Sequence, residues 1–489
     1  MDVKVYFSDY FEVDPSIIEE YGAFNISLIT DLPLFIDPFL LFNSTEQKYR
    51  DLHEQMLQYL RFLKDKSITQ IIDKGLLKAW YQFPEIKQNW LGFCESGNRG
   101  SGLGYKFADA LNKNLNTVFA DFGSEKVTKA SHIEKLCLIR DGVGRDNISD
   151  FTTNLIHEFL LKYTEIFAKK YIRKELRKIV AVSNVRFNYT TESWEVDKFD
   201  LPYHNGDYVL LTPKDIMSKD DNWINRVDLI NNFEDIPKSI SNEGLRAQIN
   251  NYFVSILPTD PKKEDKQYAV SKVIEKFPEV IDYYIKVKED NGEKAVKVSI
   301  EKVAASKQLY FAQYKSLIEM LSKTDFYATQ GDTYSESLDR VKYLKDVIEN
   351  KDGYKIFYYK GQPLKKEQDL QILYSFTWYA TPSDVNREVN NGRGPVDFKI
   401  SRGSKDKTLV EFKLASNSQL KRNLMNQVEI YEKANNTKSS IKVILYFSET
   451  ELKKVQAILK EMKLEEKENV VLIDARNDNK PSASKAEVH

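Results

Sequence analysis

Two strand-like stretches near the carboxyl end decide the fold: Val396-Asp-Phe-Lys-Ile-Ser401 and Thr408-Leu-Val-Glu-Phe-Lys-Leu414. Both alternate apolar with polar residues, which is the pattern of a β-strand that buries one face. Asp397 lies on the polar face of the first stretch, and Glu411 and Lys413 lie on the polar face of the second. If the strands pair as a hairpin across the charged turn between them, these three side chains converge on one side of a sheet.

Two carboxylates and a lysine on one face of a sheet suit the metal-assisted hydrolysis of a phosphodiester. Neighbouring carboxylates repel each other unless a hard cation lies between them, and Mg²⁺ prefers oxygen ligands while it keeps several waters. The metal lowers the pKa of a bound water and neutralises charge on the phosphate. A lysine beside it can orient that water or stabilise negative charge in the transition state. Asp397, Glu411 and Lys413 are therefore the candidate catalytic residues.

The segments around the hairpin add a further pattern. Residues Lys366 to Tyr379 are predicted to form a helix with one apolar side, and a glycine-containing loop, Asn390 to Gly394, leads into the first strand. A second helix, Gln419 to Ala434, carries Gln427 and Tyr431 on its apolar stripe. A glutamine on an inward-facing stripe needs a hydrogen-bond partner, which a position beside the proposed site would supply.

In this order the segments resemble the PD-(D/E)XK, or restriction-endonuclease-like, superfamily. The matching strings are Gly-Arg-Gly-Pro-Val-Asp397, Val-Glu411-Phe-Lys413 and Gln427-x-x-x-Tyr431. The resemblance implies an αβββαβ core, in which Ile441 to Phe447 and Val470 to Asp474 supply later strands. It also implies Mg²⁺ held by the Asp and the Glu, with Mn²⁺ expected to substitute, and a catalytic role for the Lys.

The resemblance further implies an acidic residue on the helix before the motif. Glu367, in Lys-Glu-Gln-Asp-Leu-Gln371, fits this position best, and Asp369 and Glu388 are weaker candidates. The metal ligands expected from the resemblance are Asp397, Glu411 and Glu367, and Lys413 and Gln427 complete the catalytic set.

A basic stretch surrounds the motif. Nine Lys or Arg residues lie between Arg387 and Arg422 against four acids, although the whole chain carries a formal net charge of −1. Local positive charge is the footprint of a phosphate-contacting surface, but a solvated lysine-rich face has the same composition. The residues predicted to contact nucleic acid are Arg393, Lys399, Arg402, Lys405, Lys407, Lys421, Arg422 and Tyr431.

The chain is predicted to be a multidomain α/β protein. Residues 1–255 alternate helical and strand-like segments and are interpreted as an α+β domain for recognition or regulation. Residues 256–352 are interpreted as a helical connecting segment. Residues 353–479 form the nuclease-like domain, and residues 480–489 are expected to be a disordered tail.

Four N-terminal stretches stand out. Arg50 to Asp65 has the apolar period of an amphipathic helix. Gly97 to Gly104 could present backbone N–H groups to a phosphate, but it matches neither the P-loop nor the dinucleotide spacing, which favours a flexible turn into a helix. Asp141 to Asp150 places several aspartates in a loop, which could be a second metal or phosphate site, but aspartates are common simply as turn and cap residues. Trp223 to Arg226 has no interpretation from sequence.

Composition excludes several classes of protein. Two cysteines, Cys94 and Cys137, cannot form a disulfide framework or a Cys-rich zinc module, and they fit a reducing cytoplasm. The longest apolar run, Leu32 to Phe42, contains an aspartate and two prolines, so it cannot span a bilayer. We therefore expect a cytoplasmic protein with no membrane contact.

The expected function is endonucleolytic hydrolysis of DNA, and analogy of architecture points to restriction or anti-phage defence. Two alternatives stay open: a catalytically silent nucleic-acid-binding protein on a nuclease fold, and an enzyme that cleaves RNA. A homodimer or a higher oligomer is compatible with each of these functions.

Overall fold

A computed structural model shows a mixed α/β protein with several small sheets. Within the described residues, no helix combines the length and apolar character needed to cross a membrane. Residues 481–489, expected to be a tail, lie outside them. The structure describes residues 4–29, 31–92, 103–118, 125–139, 144–219, 222–308, 331–351, 353–359, 362–363, 367–378, 383–390, 395–403, 406–424 and 439–480, and the single residues 311, 315, 319, 323 and 381.

The first half of the chain is largely helical. The amphipathic helix expected at Arg50 to Asp65 is confirmed within α4, whose apolar stripe is buried. The helices are α1 Phe7–Phe11, α2 Pro15–Glu20, α3 Pro38–Phe42, α4 Gln47–Thr69, α5 Lys74–Leu76, α6 Tyr105–Val118, α7 Lys135–Ile139, α8 Arg145–Leu155 and α9 His157–Tyr171.

Short strands complete this half. Strands β1 and β7 pair antiparallel, β2, β5 and β6 form a three-stranded sheet, and β3 pairs with β4. The strands are β1 Leu34–Ile36, β2 Arg177–Val182, β3 Phe187–Asn188, β4 Ser193–Trp194, β5 Asp197–His204, β6 Asp207–Tyr208 and β7 Met217–Lys219.

Among the described residues, the α-helices that follow run from Arg226 to Lys307, and the helix that ends at Lys307 returns to the first half of the chain. Helix α14 packs against β7, so the end of this helical run is part of the N-terminal structure. The helices are α10 Arg226–Asn231, α11 Glu243–Ile256, α12 Lys263–Lys276, α13 Val280–Asp290 and α14 Gly292–Lys307.

A five-stranded sheet dominates the C-terminal part, in the order β10-β11-β12-β13-β14. The first three strands run antiparallel, which confirms the predicted hairpin, and β12, β13 and β14 run parallel. The elements are α15 Thr333–Asn350, β8 Tyr358–Tyr359, β9 Gln362–Pro363, α16 Glu367–Thr377, β10 Asp384–Asn390, β11 Pro395–Arg402, β12 Asp406–Leu414, β13 Ser440–Tyr446, α17 Glu449–Glu461 and β14 Val470–Asp474.

Successive side chains of a strand point to opposite faces of the sheet, and helices pack on both faces of this one. Phe398 and Phe412 point to the face that α15 and α16 cover, where they join a continuous apolar core. On the opposite face, Leu420, Leu424 and Ile444 pack with the apolar side of α17. The polar residues of β11 and β12 therefore lie on the same face of the sheet as this second, smaller apolar core.

Helix α15 belongs to the packing of the C-terminal sheet, although the sequence-based boundary falls after it. It contacts β11 to β14 and α16. The Thr333 hydroxyl also hydrogen-bonds Thr408 Oγ1 at 2.9 Å. Helix α15 therefore packs as part of the C-terminal sheet structure, and the domain boundary at residue 353 stays a prediction.

We expect a fragment of residues 331–480 to unfold cooperatively and a fragment of residues 352–480 to be unstable. Without α15, the sheet loses the apolar side chains that this helix packs against it. Burial of each such side chain stabilises the fold by about 1.5–3 kcal/mol. Thermal denaturation followed by circular dichroism measures the difference. Equal melting of the two fragments would contradict the packing role of α15.

Candidate metal centre

The register of β11 and β12 brings the predicted catalytic residues together. Phe398 pairs with Val410 in an antiparallel register. Asp397, one residue before Phe398, therefore lies opposite Glu411, one residue after Val410. Alternation turns both carboxylates, together with Lys413, to the face that carries α17. All three residues are largely buried, with exposed fractions of 9% for Asp397, 7% for Glu411 and 8% for Lys413.

Lys413 lies among the carboxylates. Its ammonium nitrogen is 3.5 Å from Asp397 Oδ2 and 3.6 Å from Glu367 Oε2. It also donates to the backbone carbonyl of Phe412 at 2.9 Å. Of the three acidic candidates upstream, Glu367 is thus shown in contact with the lysine, and the side chains of Asp369 and Glu388 lie outside the described residues.

Backbone groups of β12 fix two of the carboxylates. The Phe412 N–H donates to Asp397 Oδ2. The Leu414 N–H and the Asn417 side-chain amide both donate to Glu367 Oε1 at 3.3 Å. Because Glu367 is the first residue of α16, the helix start reaches the end of the strand that carries Lys413.

The negative charge of this cluster is incompletely compensated. Burial raises the pKa of Glu411 to about 7, an effect that Lys413 opposes and the Asp397 carboxylate reinforces. Burial likewise raises the pKa of Asp397 above its ordinary value, against the pull of Lys413. Burial lowers the pKa of Lys413, but the surrounding carboxylates, Asp397 first, outweigh burial and raise it. Burial therefore disfavours the charged forms of both acids, and Lys413 offsets part of that effect.

Sequence reasoning missed Lys442. It pairs with Glu411 in the parallel register of β12 and β13, and its exposed fraction is 8%. Its ammonium group also lowers the pKa of Glu411. The alternation of Ser440 to Val443 could have placed Lys442 on the polar face, but the three apolar residues that follow break the pattern, and the pairing of β13 with β12 is not visible in the sequence.

The donor set is compatible with Mg²⁺. In the described part of the chain, no three His, Cys, Asp or Glu side chains are gathered as ligands of one ion. Mg²⁺ is usually held by one or two carboxylates plus waters and substrate phosphate. Asp397 and Glu411 supply those two carboxylates, and Glu367 supplies a third on the far side of Lys413.

The other predicted site residues are scattered. Arg393, Lys405, Gln427 and Tyr431 lie outside the described residues, as do Gly97 to Ser101 and Asp141 to Val143 of the N-terminal loops. Lys399 is half-buried on the face of Asp397. Lys421 pairs with Glu461, and Arg422 is exposed. Asp146 and Asp150 belong to helix α8.

Arg402, predicted to contact phosphate, is already engaged inside the protein. Its guanidinium binds the fully buried carboxylate of Glu336 on α15, and its Nε donates to Ser383 Oγ at 2.8 Å. Arg340 holds the other oxygen of Glu336 at 2.7 Å. Arg402 therefore has a structural role that the sequence did not reveal, and its contact with phosphate stays a prediction.

Arg402→Gln is expected to lower the free energy of unfolding by about 1–3 kcal/mol, because a buried charge loses one of its charged partners. Lys407→Gln is expected to weaken nucleic-acid binding and to flatten its salt dependence. Urea denaturation and binding at several salt concentrations test both variants. An unchanged salt slope in Lys407→Gln would mean that the turn faces away from the substrate.

Comparisons with known proteins give no activity. Residues 12–225 match a domain of unknown function (DUF8370), and residues 333–449 match a second domain of unknown function (DUF8371). The second match includes α15 and the described carboxylate–lysine cluster. No curated protein and no solved structure matches the chain.

Proposed function

We propose that the chain is a Mg²⁺-dependent endonuclease of the PD-(D/E)XK type that hydrolyses phosphodiester bonds, with DNA as its substrate. The observation that carries the proposal is the position of Lys413 between Asp397 and Glu367, with Glu411 beside it. The order and direction of strands β10 to β14, with α16 before them, support it. Restriction or defence against phage is the cellular role suggested by analogy of architecture.

Asp397, Glu411 and Lys413 would have different roles in the proposed reaction. Bound Mg²⁺ would supply an activated water and neutralise charge on the phosphate. Asp397 and Glu411 would hold it with their carboxylates, and the backbone N–H of Phe412 keeps Asp397 oriented. The ammonium of Lys413 stays protonated at neutral pH, so it can stabilise the negative charge that develops on the phosphate.

The alternative is a catalytically silent nucleic-acid-binding protein on the same fold. The burial of Asp397, Glu411 and Lys413 favours it, because buried charges that pair with each other can be purely structural. Cleavage of RNA by the same centre is a third reading, since the metal chemistry does not distinguish the two sugars.

The full chain incubated with plasmid DNA, single-stranded DNA and RNA, in Mg²⁺ or in EDTA, separates these functions. We expect Mg²⁺-dependent nicking or cutting of DNA that EDTA abolishes, and Mn²⁺ should restore it. Binding of nucleic acid without cleavage of any substrate would support the catalytically silent protein. Preferential degradation of RNA would identify the enzyme as a ribonuclease.

The stabilisation that Mg²⁺ gives is expected to grow between pH 5 and pH 8. Because the pKa of Glu411 is raised to about 7 in the folded chain, folding favours its protonated form. Its contribution to metal-free stability is therefore complete below the ordinary pKa and is lost as pH rises through about 7. Mg²⁺ needs the ionised carboxylate, so melting temperatures with Mg²⁺ and with EDTA should diverge over this range. Glu411→Gln should remove the divergence.

A further inference from the structure

Five titratable side chains lie close together in the interior of the N-terminal half, and we refer to them as the Glu134 cluster. They are Asp37 at the start of α3, His53 on α4, His132 and Glu134 just before α7, and Glu289 on α13. All five are buried, and the exposed fraction is 0% for His132 and Glu134. The cluster is distant in sequence from the carboxylate–lysine cluster, and the proposed nuclease reaction does not use it.

The carboxyl group of Glu134 is buried without compensation. Within the described residues, neither of its oxygens has a hydrogen-bond partner. The nearest ring nitrogen, His132 Nδ1, is 3.9 Å from Glu134 Oε2, which is longer than a hydrogen bond, and this nitrogen is also unpaired. Because burial of a carboxylate without a charged or hydrogen-bonding partner is costly, folding favours the neutral acid.

The two histidines of the cluster do not supply a positive charge. His132 Nε2 lies 2.9 Å from Glu289 Oε1, and the N–H groups of Lys129 and Ala130 also donate to that carboxylate. Burial lowers the pKa of His132, although Glu289 acts against burial. The His53 ring, 5.9 Å from the His132 ring, has its pKa lowered to about 3 by burial. Both imidazoles are therefore neutral at physiological pH.

The lysines of the neighbouring elements are paired with other acids. Lys135 Nζ lies 2.5 Å from Asp282 Oδ1, and Lys288 Nζ lies 2.6 Å from Asp228 Oδ2. Of these two lysines, Lys288 also lowers the pKa of Asp37. No ammonium group of the described residues therefore forms an ion pair with Glu134.

The charged group that acts on Glu134 is another acid. Burial raises the pKa of Glu134 to about 8, and the Asp37 carboxylate raises it further, against the backbone N–H groups of Glu134 and Phe39. Burial raises the pKa of Asp37 only to about 6, since the N–H groups of Trp223 and Phe39 and the charge of Lys288 oppose burial. At neutral pH, Asp37 is therefore the ionised member of this pair and Glu134 the protonated one.

Asp37 connects two parts of the chain that are far apart in sequence. Its Oδ1 accepts the Phe39 N–H at 3.0 Å, which caps α3, and its Oδ2 accepts the Trp223 N–H at 2.8 Å. The Trp223 indole N–H donates to the Lys288 carbonyl at 3.1 Å. We refer to Asn222 to Asn225 as the Trp223 loop. Asp37 thus holds this loop against the start of α3.

We infer that the Glu134 cluster is a proton-dependent switch, in which neutral Glu134 lets Asp37 hold the Trp223 loop and loss of the Glu134 proton releases that loop. Ionisation would place a second, unpaired carboxylate beside Asp37 in the interior, where like charges repel strongly. Separation of the two carboxylates relieves this repulsion, and it breaks the contact of Asp37 with Trp223. The inference does not depend on the proposed nuclease activity.

The direction of the pH effect follows from the raised pKa of Glu134. Folding favours the protonated acid, so its contribution to stability is complete below the ordinary pKa of a glutamate and is lost as pH rises through about 8. We therefore expect the Trp223 loop to be fixed at pH 6 and released at pH 9.

Hydrogen exchange of the full chain in EDTA, followed by mass spectrometry at pH 6 and pH 9, tests the switch. Glu134→Gln keeps the shape of the side chain and is neutral at both values. After correction for intrinsic rates, segments 34–43 and 222–225 should exchange equally in wild type and Glu134→Gln at pH 6. At pH 9 they should exchange about tenfold faster or more in wild type, because one unit of pKa shift corresponds to a factor of ten. Equal exchange at pH 9 would overturn the inference.

Two controls keep the result specific. Glu54→Gln removes an exposed acid of α4 and should exchange like wild type at both pH values. Glu134→Met, in which an apolar group of similar length replaces the unpaired acid, should behave like Glu134→Gln. Thermal shift with Zn²⁺ at pH 8 examines the other way to neutralise Glu134. Stabilisation of wild type but not of Glu134→Gln would mean that the cluster binds a metal ion, and the proton switch would be wrong.

Discussion

Asp397→Asn is expected to reduce Mg²⁺-dependent cleavage by about a thousandfold or more while the chain stays folded. A thousandfold loss corresponds to about 4 kcal/mol of transition-state stabilisation, a reasonable cost for weakening a metal ligand. The asparagine oxygen can still accept from the Phe412 N–H, so the strand contact survives. Alanine is a poorer choice, because it leaves that buried N–H unpaired at a cost of about 1–3 kcal/mol.

The melting temperature of Asp397→Asn should equal that of wild type or exceed it in EDTA. Burial raises the pKa of Asp397, so the folded chain already disfavours its charged form. Glu466→Gln, an exposed acid of the same region, is the control and should retain both stability and cleavage. Full cleavage by Asp397→Asn would end the proposal that this carboxylate holds the metal.

Lys413→Met is expected to lower the free energy of unfolding by about 3–5 kcal/mol at pH 8 in EDTA, the range for a buried ion pair that loses one partner. The substitution keeps the length of the side chain but leaves Asp397, Glu367 and Glu411 without their shared cation. Mg²⁺ should restore more stability to this variant than to wild type, since the ion replaces the missing charge.

The same variant separates catalysis from binding. A group that acts in the transition state affects cleavage far more than affinity, so Lys413→Met should bind DNA nearly as well as wild type and cleave it orders of magnitude more slowly. Filter binding and single-turnover cleavage measure the two effects. A parallel loss of binding and cleavage, with unchanged stability, would make Lys413 a phosphate anchor and not a catalytic group.

Local sequence patterns predicted the elements that carry the site. The alternation of Val396 to Ser401 places Phe398 in the core and Asp397 on the opposite face, as the structure has it. The helix expected at Lys366 to Tyr379 is present as α16, and its first residue, Glu367, reaches Lys413. These features depend on residues close together in the chain, so their period in the sequence is sufficient to predict them.

Contacts between distant segments were not predictable in the same way. Lys442 meets Glu411 through a parallel pairing that no short-range pattern encodes. In the sequence, Arg402 cannot be distinguished from an exposed basic residue of the turn. Its pairing with the buried Glu336 depends on the packing of α15 against the sheet. The composition of the basic stretch therefore could not reveal the structural role of Arg402.

Calorimetric titration of the full chain with Mn²⁺ at pH 8 tests the central claim most directly, because it detects the metal site without requiring the right substrate. We expect saturable binding to wild type and to Glu466→Gln, and loss of that binding in Asp397→Asn. The absence of binding to wild type, or equal binding to Asp397→Asn, would contradict a metal centre at Asp397 and Glu411.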